Sequence, residues 1–551
     1  MKDINRRQFI TTAGLSAAAL SVFGLAGCSG PGANAGSASA SADSAIPETW
    51  DEEADFVVLG TGTALTGALK AAADGMSVIV LEKAKTIGGT TALSGGQVWV
   101  PCNDFSTEKD DRNLAKKYMT KVAAGLSTEA IIDAYIDRAS EMVNFIAEKT
   151  GCEWSVSPRI DYHAQWEGAS RDMRSLSCVI DGVRSGAHFT QPEADEIVSL
   201  GGKILTETPA KRLVSRPTSD GGQEVLGVIA EDAKGNQIAI KANKGVLVGT
   251  GGFSYNEDML NAYHPIPVKG CMCVPESTGD GILMAQAVGA NLTMMPWGWG
   301  QINFKALSEQ YYEEKVCSTK VSLYAYQTKP GSMFVNRQGK RFCDEASDYD
   351  SLWFGFQGQS TTGDMELTNV PAWYICDQSV RESLADPSKG DIFFGVGLDG
   401  DLPEWGYTAD TIEELAEKIG IDPEGLKAQV EKFNADAENG TDTDFHRGES
   451  EFENYNMMNS GPTLGGLTQP PFYAAEIVPT YQGTKGGIQI NENGQAINTA
   501  GNPIPRLYAC GNTTGCGTPG KYYTGAGGTN GPGMVFAYLA AEHAGQLDSW
   551  A

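Results

Sequence analysis

The hydrophobic pattern changes period several times along the chain, and those changes mark its elements. Residues 55–59 form a short run that is apolar after Asp55, residues 63–74 carry Ala and Leu at helical spacing, and residues 77–81 form a second apolar run rich in Val and Ile. Strand, helix and strand in so short a span predict a βαβ unit from about Phe56 to Glu82. A long helix is expected over residues 127–149, opened by Ser127-Thr128-Glu129, which supplies a hydroxyl cap and an early negative charge. Residues 245–248 read as another buried strand running into glycines, residues 486–490 and 506–510 as late strands, and residues 531–544 as a closing helix. From about Trp297 to Ser460 the chain is richer in Trp, Tyr and Phe and holds a helical pair, residues 411–419 and 423–434, so this stretch is read as an inserted domain. The chain holds no internal repeat.

Composition narrows the class. The chain has 551 residues, 41% hydrophobic and 20% charged, as soluble globular proteins do. Its 67 glycines are more than the usual ~7% and fall in runs such as Gly88-Gly89 and Gly251-Gly252, where backbone can approach a ligand closely. A formal net charge of -28 argues against nucleic acid, whose phosphates need a basic face; the acidity reads as solvated surface before it reads as a docking patch. Residues 1–28 are an address: Arg6-Arg7 precede Phe9-Ile10 and an apolar stretch too short and too rich in Gly and Ala to span a membrane well. They look like a twin-arginine signal, and Leu25-Ala26-Gly27-Cys28 resembles a lipoprotein box. The expectation is export by the twin-arginine route and anchoring on the outer face of the cytoplasmic membrane, with membrane contact only through a lipid on Cys28. Residues 29–50 then form a flexible linker, rich in Gly, Ala and Ser as far as Ser44. None of the 11 cysteines forms a C-x-x-C or haem motif, and Cys271-Met272-Cys273 reads as two core thiols before a redox or metal pair. His163, His188, His264, His446 and His543 make no metal-binding spacing.

Candidate chemistry begins at Gly60-Thr61-Gly62. These residues follow the first strand and open a helix whose amides would point at a pyrophosphate. Glu82 ends the second strand about twenty residues on, where a carboxylate accepts hydrogen bonds from a ribose hydroxyl. The third glycine of the usual motif is Leu65, so this turn alone fits either a dinucleotide site or a plain βαβ unit. Three distant segments add to it: residues 88–96 (GGTTALSGG), residues 249–253 (GTGGF) and residues 507–512 (LYACGN). With Thr278-Gly279-Asp280-Gly281 and residues 336–342 (NRQGKRF), they resemble the fumarate reductase and 3-ketosteroid dehydrogenase flavoprotein superfamily over nearly the whole chain, most nearly the 3-ketosteroid Δ1-dehydrogenase branch.

That resemblance implies an α/β fold: a Rossmann-like FAD-binding domain (residues 51–296 and 476–551, with a glutathione-reductase-like βαβ unit), interrupted by an α+β substrate-capping domain (residues 297–475). FAD would be held by Gly60, Gly62 and Ala64 in the first turn and by Glu82 and Lys83 after the second strand. Gly89, Thr90, Thr91, Ser94, Gly95 and Gly96 would follow, then Thr250, Gly251, Gly252, Asp280, Gly511, Asn512 and Gly527. Covalent-flavin members carry a His between positions 88 and 96; its absence here implies noncovalent FAD.

The dicarboxylate reductases of the superfamily clamp carboxylates with arginines. Here the proton-donating Arg falls at Tyr349 and the carboxylate-binding Arg at about Tyr523, while their His-Thr-Met-Gly-Gly reads Gly483-Thr484-Lys485-Gly486-Gly487. The 3-ketosteroid dehydrogenase branch carries tyrosines instead. By that resemblance the Tyr523 hydroxyl and the Gly527 N–H bind a ketone oxygen, Tyr349 exchanges a proton with the adjacent carbon, and Tyr162 assists. Trp297, Trp299 and Phe304 read as plain core before they read as pocket wall. The expected protein is an exported FAD oxidoreductase of CH–CH bonds beside a ketone, acting on a neutral enone or ketone such as a 3-ketosteroid. As an end point of anaerobic respiration it would exchange electrons with an external cytochrome or quinone oxidoreductase. Two alternatives remain: a reductase of an unsaturated carboxylate using Arg159, Arg171 or Arg174, and an inactive flavin-binding surface lipoprotein, suggested by Leu65.

Overall fold

Residues 56–59 are apolar without alternation because this strand is covered on both faces: Phe56, Val57, Val58 and Leu59 are all buried. The computed structural model describes residues 46–550 except 267–268, 319–321, 362, 364, 386–392, 456–460 and 516–519. The signal and Cys28 lie outside the described residues, as does the linker up to residue 45. Strand β1 (Glu52–Leu59) leads into helix α1 (Ala64–Ala73) and strand β2 (Val78–Leu81), which pairs parallel with β1. On the other side of β1 lies β3 (Gln237–Val248), also parallel. Its length was hidden because only residues 245–248 are uniformly buried; the mixed stretch before them pairs antiparallel with Gln223–Glu231.

A second sheet, antiparallel throughout, starts with β4 (Gly298–Phe304). The short helix α2 (Tyr349–Gly355) packs beside it, with Gly300 N donating to Asp350 Oδ1 at 2.9 Å. Strand β5 (Phe472–Thr484), 13 residues long, is the spine of this sheet, pairing with β4, Ala372–Cys376 and Gly406–Ala409. It runs through position 475, where the sequence placed a boundary, and the expected strand at 486–490 shrinks to Gly487–Ile488. The chain returns to the parallel sheet with β6 (Pro503–Ala509), beside β3, and closes with helix α3 (Asn530–Gly545). This sheet thus runs Gln495–Ile497, β6, β3, β1, β2, Lys203–Leu205, parallel throughout except that Gln495–Ile497 is antiparallel to β6. The helices expected elsewhere lie at Glu129–Thr150, where the Thr128 hydroxyl caps Ile131 N, and at Ile412–Ile419 and Pro423–Asn439.

Register sets the site. Leu59 pairs with Leu81 and with Val248, and Val248 with Ala509, so four parallel strands end level and their following turns share one edge. Ligands of open parallel sheets bind at that carboxyl edge. The missing motif glycine also finds its account here. Leu65 is fully buried in the core, and the close helix approach is made two residues later: a Cβ at Gly67 would lie 2.6 Å from Ala537 O and 2.8 Å from Leu247 Cδ2. Gly67→Ala is therefore expected to destabilise the fold by about 1–3 kcal/mol, the usual range for overpacking, read as a lower urea midpoint at unchanged m-value.

Candidate active site and cofactor cradle

At the shared edge two chain reversals nearly touch. A Cβ on Gly60, whose φ is +97°, would stand 2.3 Å from Gly249 O, so no other residue fits there. The N-cap of α1, Thr63, makes no side-chain cap; Leu65 N and Thr66 N donate back to Gly62 O and Thr63 O, and the positive end of this 10-residue helix faces the turn, where it favours an anion. Glu82 is fixed beside them. Its Oε2 accepts from Thr61 N at 3.2 Å and from the Thr61 hydroxyl, and its Oε1 accepts from Ala84 N at 2.8 Å. Thr61 Oγ1 in turn accepts from Gly88 N at 2.8 Å, tying the second glycine segment to the first. Lys83 Nζ reaches Asp280 Oδ2 at 2.8 Å and Thr278 Oγ1 at 2.6 Å.

These segments line one cavity of about 660 Å³. Gly60, Gly62, Glu82, Lys83, Gly89, Thr90, Thr91, Ser94, Gly95, Thr250, Gly251, Gly252, Asp280, Gly511, Asn512 and Gly527 all lie on its wall. Ala64 and Gly96 do not. Ala64 is wholly buried, its Cβ filling the space where one on Gly249 would lie 2.5 Å away, and a Cβ on Gly96 would meet Ser185 O at 2.5 Å, so Ala64 packs on Gly249 and Gly96 against Ser185. The wall fits FAD: a helix N-terminus and glycines for the pyrophosphate, an anchored carboxylate for a ribose, and further wall from Gly251 and Asn512 for the isoalloxazine.

The far end of the same cavity is a cluster of tyrosines. Tyr349 begins α2, where the Asp348 carboxylate caps Ser351 N at 2.9 Å. Its hydroxyl is 3.0 Å from that of Tyr162. Tyr162 is held from behind, its N–H donating to Thr524 O at 3.2 Å, and its ring stacks on Tyr523 with centroids 5.3 Å apart. The Tyr523 ring also lies 5.8 Å from that of Tyr349, and its hydroxyl is 3.4 Å from Thr529 Oγ1. Gly527, φ +95°, has no room for a Cβ, which would meet Val98 N at 2.5 Å. A fourth tyrosine, Tyr324, lies edge-on to Tyr349 at 5.6 Å and lines the cavity; it sits in no motif and the sequence offers no signal for it. Burial pushes the Tyr349, Tyr162 and Tyr523 hydroxyls above the ordinary tyrosine range, and that of Tyr324 to about 12.

Trp299 is buried against Tyr523, centroids 4.8 Å apart, and donates from Nε1 to Asn512 Oδ1 at 3.1 Å. Trp297 packs on Phe354 and Phe304 on Tyr326, away from the cavity wall. Of the candidate carboxylate-binding cations, Arg174 is buried with Asp110 and Asp161, and Arg171 pairs with Glu451. Arg159 has no carboxylate partner among the described residues, and its Nε is buried without an acceptor. Cys271 and Cys273 are buried, and Cys273 Sγ donates to Gln482 O at 3.1 Å.

A nucleotide cradle at the carboxyl edge of a parallel sheet, opening onto buried phenols, defines a flavin-dependent oxidoreductase. The FAD binding domain family matches residues 55–529, and the chain belongs to that family. It is 31% identical to the 3-oxosteroid 1-dehydrogenase of Mycolicibacterium smegmatis over 89% of its own length and 97% of that protein's. It is 32% identical to the 4-oxocyclohexanecarboxylate 2-dehydrogenase of Sinomonas cyclohexanicum, over 88% of this chain and 92% of the relative. The crystal structure of the 3-ketosteroid delta1-dehydrogenase from Sterolibacterium denitrificans, in complex with 1,4-androstadiene-3,17-dione, matches with a TM-score of 0.80 at 26% identity, covering 90% of this chain and 99% of that one. The protein is an FAD-dependent oxidoreductase acting on CH–CH groups. Glu82→Gln is expected to weaken FAD retention about tenfold or more, the effect of losing one charge-assisted hydrogen bond, measured as the flavin-to-protein absorbance ratio after gel filtration.

Proposed function

We propose that the protein desaturates a cyclic ketone, or reduces the corresponding enone, on a bulky neutral substrate of the 3-ketosteroid kind. The observation that carries this reading is the Tyr162–Tyr349 hydroxyl pair at 3.0 Å, stacked beside Tyr523 where a dicarboxylate enzyme would need cations. In the desaturating direction Tyr523 and the Gly527 N–H hold the ketone oxygen and stabilise the enolate charge as it develops. Tyr349 takes the proton from the carbon beside the ketone, and Tyr162 supports it by hydrogen bonding. Bound along this wall, FAD would supply the acceptor for hydride from the next carbon, or its donor in reverse. In the reducing direction Tyr349 is the proton donor, and burial keeps it protonated and ready. We take export by the twin-arginine route, a lipid on Cys28 and a separate cytochrome or quinone oxidoreductase as parts of the same proposal; an exported site favours reduction.

A second reading is favoured by Arg159. This half-buried guanidinium adjoins Ile160, which packs in the same cluster as Tyr162, Tyr349 and Tyr523, and it would suit a ketone that also carries a carboxylate. The relative named for 4-oxocyclohexanecarboxylate supports it. The unsaturated-acid alternative loses Arg171 and Arg174 to their partners, and the inactive alternative loses its motive, because Gly67 replaces the packing that Leu65 forgoes.

Photoreduced enzyme is expected to reoxidise on mixing with steroid enones and not with fumarate, followed by the return of flavin absorbance; the reverse pattern would refute a ketone substrate. Comparing an oxo acid with its ester in wild type and Arg159→Gln separates the two ketone readings. Tyr349→Phe should lower turnover by about 10²–10⁴-fold, the usual contribution of a proton-transfer group, with FAD content unchanged. Because Tyr349 is raised and must lose its proton to act as base, desaturation in a dye-coupled assay should climb through neutral and alkaline pH without levelling below about 10.

A further inference from the structure

Immediately beneath the tyrosines, and off the cavity wall, lies a wholly buried ion pair. Lys485 Nζ is 2.9 Å from Asp350 Oδ1 and 2.8 Å from Oδ2, with both side chains no more than 1% exposed. The remaining bonds of each group lead to the site. Lys485 Nζ donates to Lys521 O at 2.5 Å, two residues before Tyr523, and stands 4.3 Å over the ring of Trp299, which packs on Tyr523 and is anchored to Asn512. Asp350 follows Tyr349 directly and accepts from Gly300 N at 2.9 Å, which fixes α2 to β4. One ammonium therefore ties together the segments that carry Tyr349, Tyr523 and the cofactor-side Asn512.

Burying two charges is costly, and a well-packed apolar pair of the same volume is often as stable. A pair kept here needs another account, and its neighbours supply one. Asp350 is next in the chain to Tyr349, whose ring lies 5.8 Å from that of Tyr523, and after burial its carboxylate adds to what raises the Tyr523 hydroxyl; unscreened, that charge would oppose any negative charge building there. We propose that Lys485 and Asp350 are positioning residues for the reaction: the pair sets Tyr349 and Tyr523 relative to one another, and the ammonium cancels the carboxylate field at Tyr523. The inference rests on the reaction proposed above. Other charged groups facing the pair are Asp348 on α2, Lys521, and His163, which lies 4.0 Å from Asp348 and within the reach of Lys121.

The test is a cycle of Lys485→Met, Asp350→Asn and the double variant, all loaded with FAD. Two readouts are followed: the rate of reoxidation by the enone, and the ultraviolet titration of Tyr523, taken as the difference from matching Tyr523→Phe proteins. Lys485→Met, which leaves a lone carboxylate, is expected to slow reoxidation about 100-fold and to move the Tyr523 titration to higher pH. The charge-free double variant should recover at least tenfold of the rate and return the titration towards wild type. If Lys485→Met is insoluble, the cycle is read from the other side, and the loss in Asp350→Asn must be relieved by adding Lys485→Met. A double variant no faster than the slower single, or a Tyr523 titration that Lys485→Met leaves in place, overturns the proposal. If wild type itself fails to reoxidise with enones, the proposed reaction falls, while the titration still reports on the pair.

Discussion

The cofactor side of this protein hangs on how closely two chain reversals approach one another. The turn after β1 and the turn after β3 come so near that a single Cβ on Gly60 would collide with Gly249 O at 2.3 Å. That proximity follows from the in-line register of Leu59, Leu81 and Val248, because level strand ends force their loops into one narrow edge. Once there, Glu82 and Thr61 lock together and Gly88 is drawn in through its N–H, so the first glycine turn, the end of β2 and the second glycine segment become one wall.

The substrate side obeys a different constraint, desolvation. Four phenols share one pocket, and burial raises each of them. Phenols tolerate this because their neutral form is at home in a low dielectric, whereas arginines in the same places would each need a counter-charge. The arginines that the chain does bury, such as Arg174 and Arg341, have their charge taken up by two carboxylates each and most of their donors already engaged.

Much of this was legible in the sequence where chemistry demands a residue type at a fixed spacing. The glycine turns belong to that class because a Cβ would collide there, and Glu82 because a ribose hydroxyl needs an acceptor, while Tyr349 and Tyr523 were legible through the family resemblance. What escaped is set by tertiary contact. Tyr324 has no motif around it, and Ala64 and Gly96 lie off the cavity wall, packed against Gly249 and Ser185. Strand β5 was hidden in part by Pro479, which pairs with Ile302 although proline usually argues against a central strand. Lys485 was invisible in its role because lysine is almost never fully buried, and only the fold reveals that Asp350 awaits it.

The seating of the phenols has an evolutionary consequence. Tyr162 stands in a loop clamped to Thr524, Tyr349 at the start of a capped helix, and Tyr523 in a segment fastened through the Lys521 carbonyl. Each backbone is secured by bonds that do not involve its own side chain. The backbone beneath each reacting group therefore does not depend on that group's identity, so a lineage can explore new substrates one codon at a time on a scaffold that does not have to be rebuilt.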